Sequence, residues 1–224
     1  MFLFIFLYTH VNDRKFNKFT KNCQLSQTDY RHHMEEIYLY LQTNFDITYQ
    51  DWEIIASKFY IEKFKKKEII LEAGGQENML SFLSKGALRF FVPTDYDKET
   101  DITYDFMFEK KFVCADESFI TRTPSLYGVE ALTDIVLYRF TYEDLQDIYK
   151  KTESAERIGR IAHQNLFLER SQRLYSFLRY SAKERYENLF KENPILIKEI
   201  PQKYIASYLG ITPQALSRIK RQIY

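Results

Sequence analysis

Ile200-Pro-Gln-Lys-Tyr-Ile-Ala-Ser-Tyr-Leu-Gly-Ile-Thr-Pro-Gln-Ala-Leu-Ser-Arg-Ile-Lys-Arg-Gln-Ile-Tyr224 has the spacing of two short helices that cross at a tight turn. Ile205, Tyr208 and Leu209 form an apolar stripe at helical spacing. Ala206 is small where a second helix must approach. Gly210 stands where a helix commonly ends in a left-handed conformation, at little cost for glycine. Thr212 suits the N-cap of the next helix, and Pro213 its first position, where a missing N–H leaves nothing unpaired. In that second helix Leu216, Ile219 and Ile223 fall at i, i+3 and i+7 and suit packing on the body. Gln214, Ser217, Arg218 and Arg221 fall on another face, free of aliphatic residues. The pattern predicts a helix-turn-helix. Its polar face holds residue types that read base edges in a major groove, Gln for adenine and Arg for guanine. The plainer alternative is a helical hairpin with a solvated face; agreement of cap, glycine, small residue and face favours the first.

Charge distribution points the same way. The formal net charge of the 224 residues is +1, but residues 171–224 carry ten Lys and Arg against four Glu, a balance of +6, which leaves −5 on residues 1–170. From Pro201 onward the chain has no acidic residue, only Lys203, Arg218, Lys220 and Arg221. A basic run is usually a solvated face; coincident with a recognition pattern it supports phosphate contacts.

The two cysteines, Cys23 and Cys114, are far apart and lack ligand-spaced partners, so a disulfide framework, a zinc site and a four-cysteine iron–sulfur cluster are not expected. His10, His32, His33 and His163 show no metal spacing, and no metal or cofactor is predicted. A reducing cytoplasm is the expected location. Met1-Phe-Leu-Phe-Ile-Phe-Leu-Tyr8 is apolar but far short of the roughly 20 residues of a membrane span. It also lacks the basic start and small-residue cleavage site of a secretory signal. Residues 1–33 read as an atypical extension without sustained period, with Met34 a plausible biological start; peptides from residues 1–33 in the native protein would contradict that.

Two short helices are predicted between Met34 and Phe59. From Lys67 to Phe140 the pattern changes to short β runs: Glu68–Glu72, Met79–Ser84, Ala87–Val92, Ile102–Phe108, Phe112–Cys114, Tyr127–Glu130 and Ile135–Phe140. Strands at this spacing indicate a sandwich, barrel or jelly roll. After Thr141, a candidate cap, the pattern is helical to about Glu192, with breaks near Thr152 and Ser181, and Asn193-Pro194 stops it. Ile158, Ile161, Ala162, Asn165, Leu168, Gln172 and Tyr175 run along one side of this long helix. Such a seam fits a partner helix, most economically that of a second copy; packing on its own domain alone is the alternative.

The fold class is therefore α+β. The expected domains are the extension 1–33, a β-roll or jelly-roll sensor domain 34–150, a long dimerisation helix 151–180 and a helix-turn-helix domain 181–224. No G-x-S-x-G, P-loop, H-E-x-x-H or dinucleotide fingerprint is present, so an enzyme is not expected. Asp116-Glu117 could form an acid/base pair, but as strand neighbours they would point to opposite faces.

Leu71-Glu-Ala-Gly-Gly75, Phe82-Leu-Ser-Lys-Gly-Ala-Leu-Arg-Phe90, Ser118-Phe-Ile-Thr-Arg-Thr-Pro-Ser125, Glu184-Arg-Tyr186 and the closing Tyr204–Ile219 segment resemble the cyclic-AMP receptor protein/Fnr (Crp/Fnr) family of transcription regulators over residues 34–224. The combination looks particularly like the Crp-like regulators common in Bacteroidetes. The resemblance implies a cyclic-nucleotide-binding-like domain and a homodimer on a two-fold symmetric site in double-stranded DNA, with RNA polymerase as a further partner and no membrane. By position Thr212, Gln214, Ser217 and Arg218 match the DNA-contacting segment, with Arg218 the first candidate for a base contact and Lys220 and Arg221 suited to the backbone. The chain departs from the nucleotide-binding pattern. Cys114-Ala115 stands where the ribose-binding Gly-Glu belongs, and Ser125-Leu126 where the phosphate-binding Arg-Ser belongs. Asp116, Glu117, Ser118, Arg122 and Ser125 remain as candidate pocket residues. A buried phosphate without a guanidinium partner is poorly stabilised, so cyclic AMP is not the expected effector. A second reading is a ligand- or partner-binding sensor whose helix-turn-helix no longer serves DNA. The segment between Pro194 and Pro201 is too short for a hairpin wing, and no strand follows Tyr224, so weak and salt-sensitive binding is expected.

Overall fold

Alternating residues of the strand Ile135–Thr141 organise the sensor half. Val136, Tyr138 and Phe140 pack under the helices, while Ile135 and Leu137 face a second sheet, so the strand is covered on both sides. The computed structural model describes residues 27–94, 101–192 and 200–223. Helices α1 (Gln27–Phe45) and α2 (Tyr49–Ala56) precede eight strands: β1 (Tyr60–Phe64), β2 (Ile69–Leu71), β3 (Met79–Lys85), β4 (Ala87–Val92), β5 (Ile102–Phe108), β6 (Lys111–Val113), β7 (Gly128–Ala131) and β8 (Ile135–Thr141). A short helix α3 (Asp116–Thr121) lies between β6 and β7, and α4 (Tyr142–Lys151), α5 (Ala155–Arg179), α6 (Ala182–Glu192), α7 (Gln202–Tyr208) and α8 (Pro213–Ile223) follow. The strands form two four-stranded antiparallel sheets, β1-β8-β3-β6 and β2-β7-β4-β5. The α+β roll, long helix and helix-turn-helix read from the sequence are all present.

Gly86 carries the chain from the first sheet to the second. Its φ is +94°, and a Cβ there would meet Thr133 Oγ1 at 2.5 Å and the Asp134 carbonyl at 2.7 Å. Only glycine fits both the conformation and the space. Leu83, Leu88, Phe90, Val129, Ile135 and Leu137 fill the roll between the sheets. Ile37, Leu41, Trp52, Phe59, Phe82 and Tyr138 form a second core under α1 and α2. Thr141 caps α4 through a capping box: the Asp144 N–H donates to its Oγ1 at 3.0 Å, and its own N–H reaches the Asp144 carboxylate at 3.3 Å. Thr141→Ala is expected to lower stability by about 1 kcal/mol, read as a fall in the urea midpoint at unchanged slope.

Three sequence readings need correction. The boundary at 33/34 cuts α1, which begins at Gln27 with Tyr30 buried and His33 Nδ1 3.1 Å from the Tyr138 hydroxyl. Tyr30 continues the Met34, Ile37, Leu41 stripe upstream but stands alone among polar residues, which hides the period. Strand β1 starts the roll seven residues before Lys67; Glu62 and Lys63 mask a strand that pairs with β8 along its whole length. Asp116 and Glu117 lie in the first turn of helix α3, not on a strand. Met1–Tyr8 and the hairpin-wing segment lie outside the described residues.

The long seam also divides. Ile158 and Ile161 pack on the α1–α2 core, whereas Leu168 and Tyr175 are exposed together with Phe167, Leu174 and Leu178. Phe167, Ser171, Leu174 and Leu178 follow at spacings of four, three and four, the spacing of a coiled-coil seam, with Phe167, Leu174 and Leu178 exposed in the single chain.

Candidate nucleic-acid interface and sensor site

The turn between α7 and α8 is built as its residues dictate. Gly210 has φ +68°, its N–H donates to the Ser207 carbonyl at 3.0 Å, and the Ile211 N–H donates to the Ala206 carbonyl at 3.0 Å. This pairing is a Schellman motif. Two arginines take further carbonyls at the end of α7: Arg173 donates to Tyr208 O at 3.1 Å and Arg185 to Leu209 O at 2.8 Å. Cations here also suit the negative end of the helix dipole. Thr212 caps α8, accepting from the Ala215 N–H at 3.2 Å, and Pro213 opens the helix.

Leu216 is fully buried against Ile205, Ala206 and Leu209, which fixes the rotation of α8. Thr212, Gln214, Arg218 and Arg221 are exposed, and Ser217 and Lys220 half-buried, as that rotation requires. Gln214, Arg218 and Arg221 make no side-chain hydrogen bond or ion pair among the described residues. Five of the six candidates for DNA contact thus sit on one short helix, its polar face open, and the sixth, Thr212, caps it.

The helix-turn-helix does not stand apart from the roll. Tyr204 lies 3.9 Å from the Arg89 guanidinium, Tyr208 packs 5.2 Å from Phe106, and the Thr103 N–H donates to Ser207 Oγ at 2.8 Å. Arg89 is itself buried on β4, donating to Thr103 Oγ1 at 3.0 Å and to Glu130 at 3.1 Å. These contacts cover the open edge of β5. No local signal reveals them, because their partners lie about a hundred residues apart.

The pocket candidates do not converge. Ser118 Oγ donates to Thr123 O at 2.6 Å and accepts from the Glu77 N–H at 2.9 Å; Ser125 Oγ donates to Tyr127 O at 2.7 Å. Arg122 turns away over the Tyr142 ring at 4.2 Å and donates to Glu77 O at 3.0 Å. Glu117 is exposed. Four of the five thus tie loops or face solvent. Asp116 alone reaches a cavity, where Arg170 of α5 pairs with it at 2.8 Å. Burial pushes its carboxyl above the usual range, and Arg170 opposes that shift.

Between the sheets the space is small. Beside Phe90, Cys114, Leu137 and Arg139 only about 10 Å³ is free. Tyr104 stacks on Tyr127 at 5.2 Å, and the buried Glu77 carboxylate accepts from the Met79 N–H at 2.9 Å and the Ala115 N–H at 3.4 Å. Burial, with Glu77 and Asp116 nearby, raises the Cys114 thiol well above its ordinary value. A much larger cleft of about 410 Å³ opens outside the roll, between α1, α4, α5 and the β6–α3 segment.

Residues 61–152 match the cyclic nucleotide-binding domain family. No curated protein sequence matches the chain significantly. Solved structures do. The global regulator CLP of Xanthomonas campestris, described as c-di-GMP responsive, superposes with a TM-score of 0.63 at 13% identity, over 79% of this chain and 91% of its own. FixK2 from Bradyrhizobium japonicum gives 0.63 at 14% identity, over 74% and 84%. A protein from Eubacterium rectale assigned to the Crp/Fnr family of transcriptional regulators gives 0.61 at 20% identity, over 81% and 85%. Among the described residues no helix is long and apolar enough to cross a membrane. Residues 61–152 are thus similar to the cyclic nucleotide-binding domain family, and the chain shares the fold of these solved structures.

Proposed function

We propose that the chain is a DNA-binding transcription regulator of the Crp/Fnr type, a cytoplasmic homodimer that reads a two-fold symmetric site. The observation that carries this reading is the open polar face of α8, held in one rotation by the Schellman turn, the Thr212 cap and buried Leu216. In this reading Gln214, Ser217 and Arg218 meet base edges, Thr212, Lys220 and Arg221 meet phosphates, and α5 supplies the dimer seam. RNA polymerase is a further partner in the same reading. Control is by something other than cyclic AMP. Supporting that are the gap of only about 10 Å³ between the sheets and Ser125, tied to Tyr127 O, standing where the resemblance puts the phosphate-binding arginine. A small-molecule site needs about 300 Å³ or more.

Selection from a random pool of duplexes tests the proposal. An enriched motif with two-fold symmetry and half-sites about one helical turn apart is the expected result. Absence of enrichment at low salt, with or without the cleft occupied as below, would instead support a sensor whose helix-turn-helix no longer serves DNA.

A further inference from the structure

We infer that the cleft outside the roll is a binding site for an uncharged, ring-bearing small molecule. Its volume of about 410 Å³ lies within the roughly 300–1,000 Å³ range of small-molecule sites, whereas the roll interior lies far below it. Phe112, Phe119, Phe140, Tyr40 and Tyr149 supply aromatic faces from five different elements. Asn44, Lys111, His163, Asn165 and Glu169 stand at the solvent-exposed rim. An apolar interior under a polar rim selects a ligand whose rings enter and whose hydrogen-bonding groups stay outside. A charged ring system would lose hydration against these walls without gaining a buried counter-charge, since Asp116 is already paired with Arg170.

Protein interiors normally close gaps of this size. Here α5 stands off the body: Ala162 and Glu169, one heptad apart on its inner side, are exposed while lining the cleft. A second copy on the proposed α5 seam would not fill the space. Phe167 lies about 140° round the helix from Ala162, so a partner on the Phe167–Leu174–Leu178 seam covers the opposite side. The cleft touches α3 of the sensor domain and α5 together. If the chain is the regulator proposed above, the occupant is then its effector, and that role alone rests on the proposed function.

The probe is N-phenyl-1-naphthylamine, a neutral two-ring-system fluorophore, titrated into the full chain. Saturable enhancement at one probe per chain is expected, unaffected by excess cyclic AMP. Ala162→Trp and Ile120→Trp would fill the cleft from opposite walls at positions already exposed to solvent, and each should weaken the probe at least tenfold with unchanged melting temperature. Leu178→Glu, on the outer seam, should leave binding intact. Non-saturable enhancement, displacement by cyclic AMP, or wild-type binding by both tryptophan variants would overturn the site. So would loss of the probe in Leu178→Glu, which would place it on the seam. Because the readout is fluorescence, the result stands apart from duplex selection: a chain that binds the probe but enriches no DNA keeps the cleft and loses only the regulator.

Discussion

In the proposed homodimer, Leu174→Glu is expected to break the pairing and leave a monomer at micromolar concentration, as sedimentation velocity would show. Leu174 lies in the middle of the outer seam of α5, between Phe167 and Leu178, and is 60% exposed in the single chain. A glutamate there is solvated in the monomer and leaves its fold intact. In the dimer it would be buried against its own symmetry mate, with no cation on the seam to pair with it. An unpaired charge left in an interface typically costs about 3–5 kcal/mol, so association should weaken a hundredfold or more. Affinity for a symmetric duplex should fall with it, and the salt dependence should drop towards that of one half-site, because half the phosphate contacts are lost. A variant that remains dimeric would move the interface off this stripe.

Arg218→Ala should cost about 1–3 kcal/mol of specific binding, roughly fivefold to 150-fold, and relax preference at one base pair per half-site. The argument is geometric. Leu216 and Ile219 fix which side of α8 faces the body, and Arg218 projects from the exposed side with no ion pair among the described residues. Lys220→Ala provides the contrast: a phosphate contact should weaken all sequences alike and lower the salt slope by about one. Competition binding against single-base variants of the selected site separates the two. An Arg218→Ala protein with wild-type preference at every position would remove this residue from the reading face.

Much of this was legible beforehand because the responsible forces are local. Gly210, Thr212 and Pro213 specify the turn of the helix-turn-helix through backbone conformation and capping, and Thr141 marks the start of α4 for the same reason. The apolar runs of β3, β4, β5 and β8, rich in Phe, Tyr, Ile and Leu, mark strands of a packed β core. Reading failed where one element borrows its stability from another. Tyr60–Phe64 is a strand because β8 lies beside it, and Gln27–His33 is helical because Tyr30 and His33 meet Tyr138, a hundred residues away. Asp116 and Glu117 belong to a six-residue helix too short to show a period.

By itself, then, the sequence determined seven of the eight strands, the long helix, the helix-turn-helix and the face of α8 turned outward. Tertiary structure alone decided where space remains. It spent Ser118, Arg122 and Ser125 on loop ties, closed the roll with the Tyr104–Tyr127 stack, and opened the cleft beneath α5. It also set the helix-turn-helix against β5 through Arg89 and Tyr204. The physical reason is that capping and periodicity act over a few residues. A cavity is what distant side chains leave unfilled, and no stretch of chain encodes it alone.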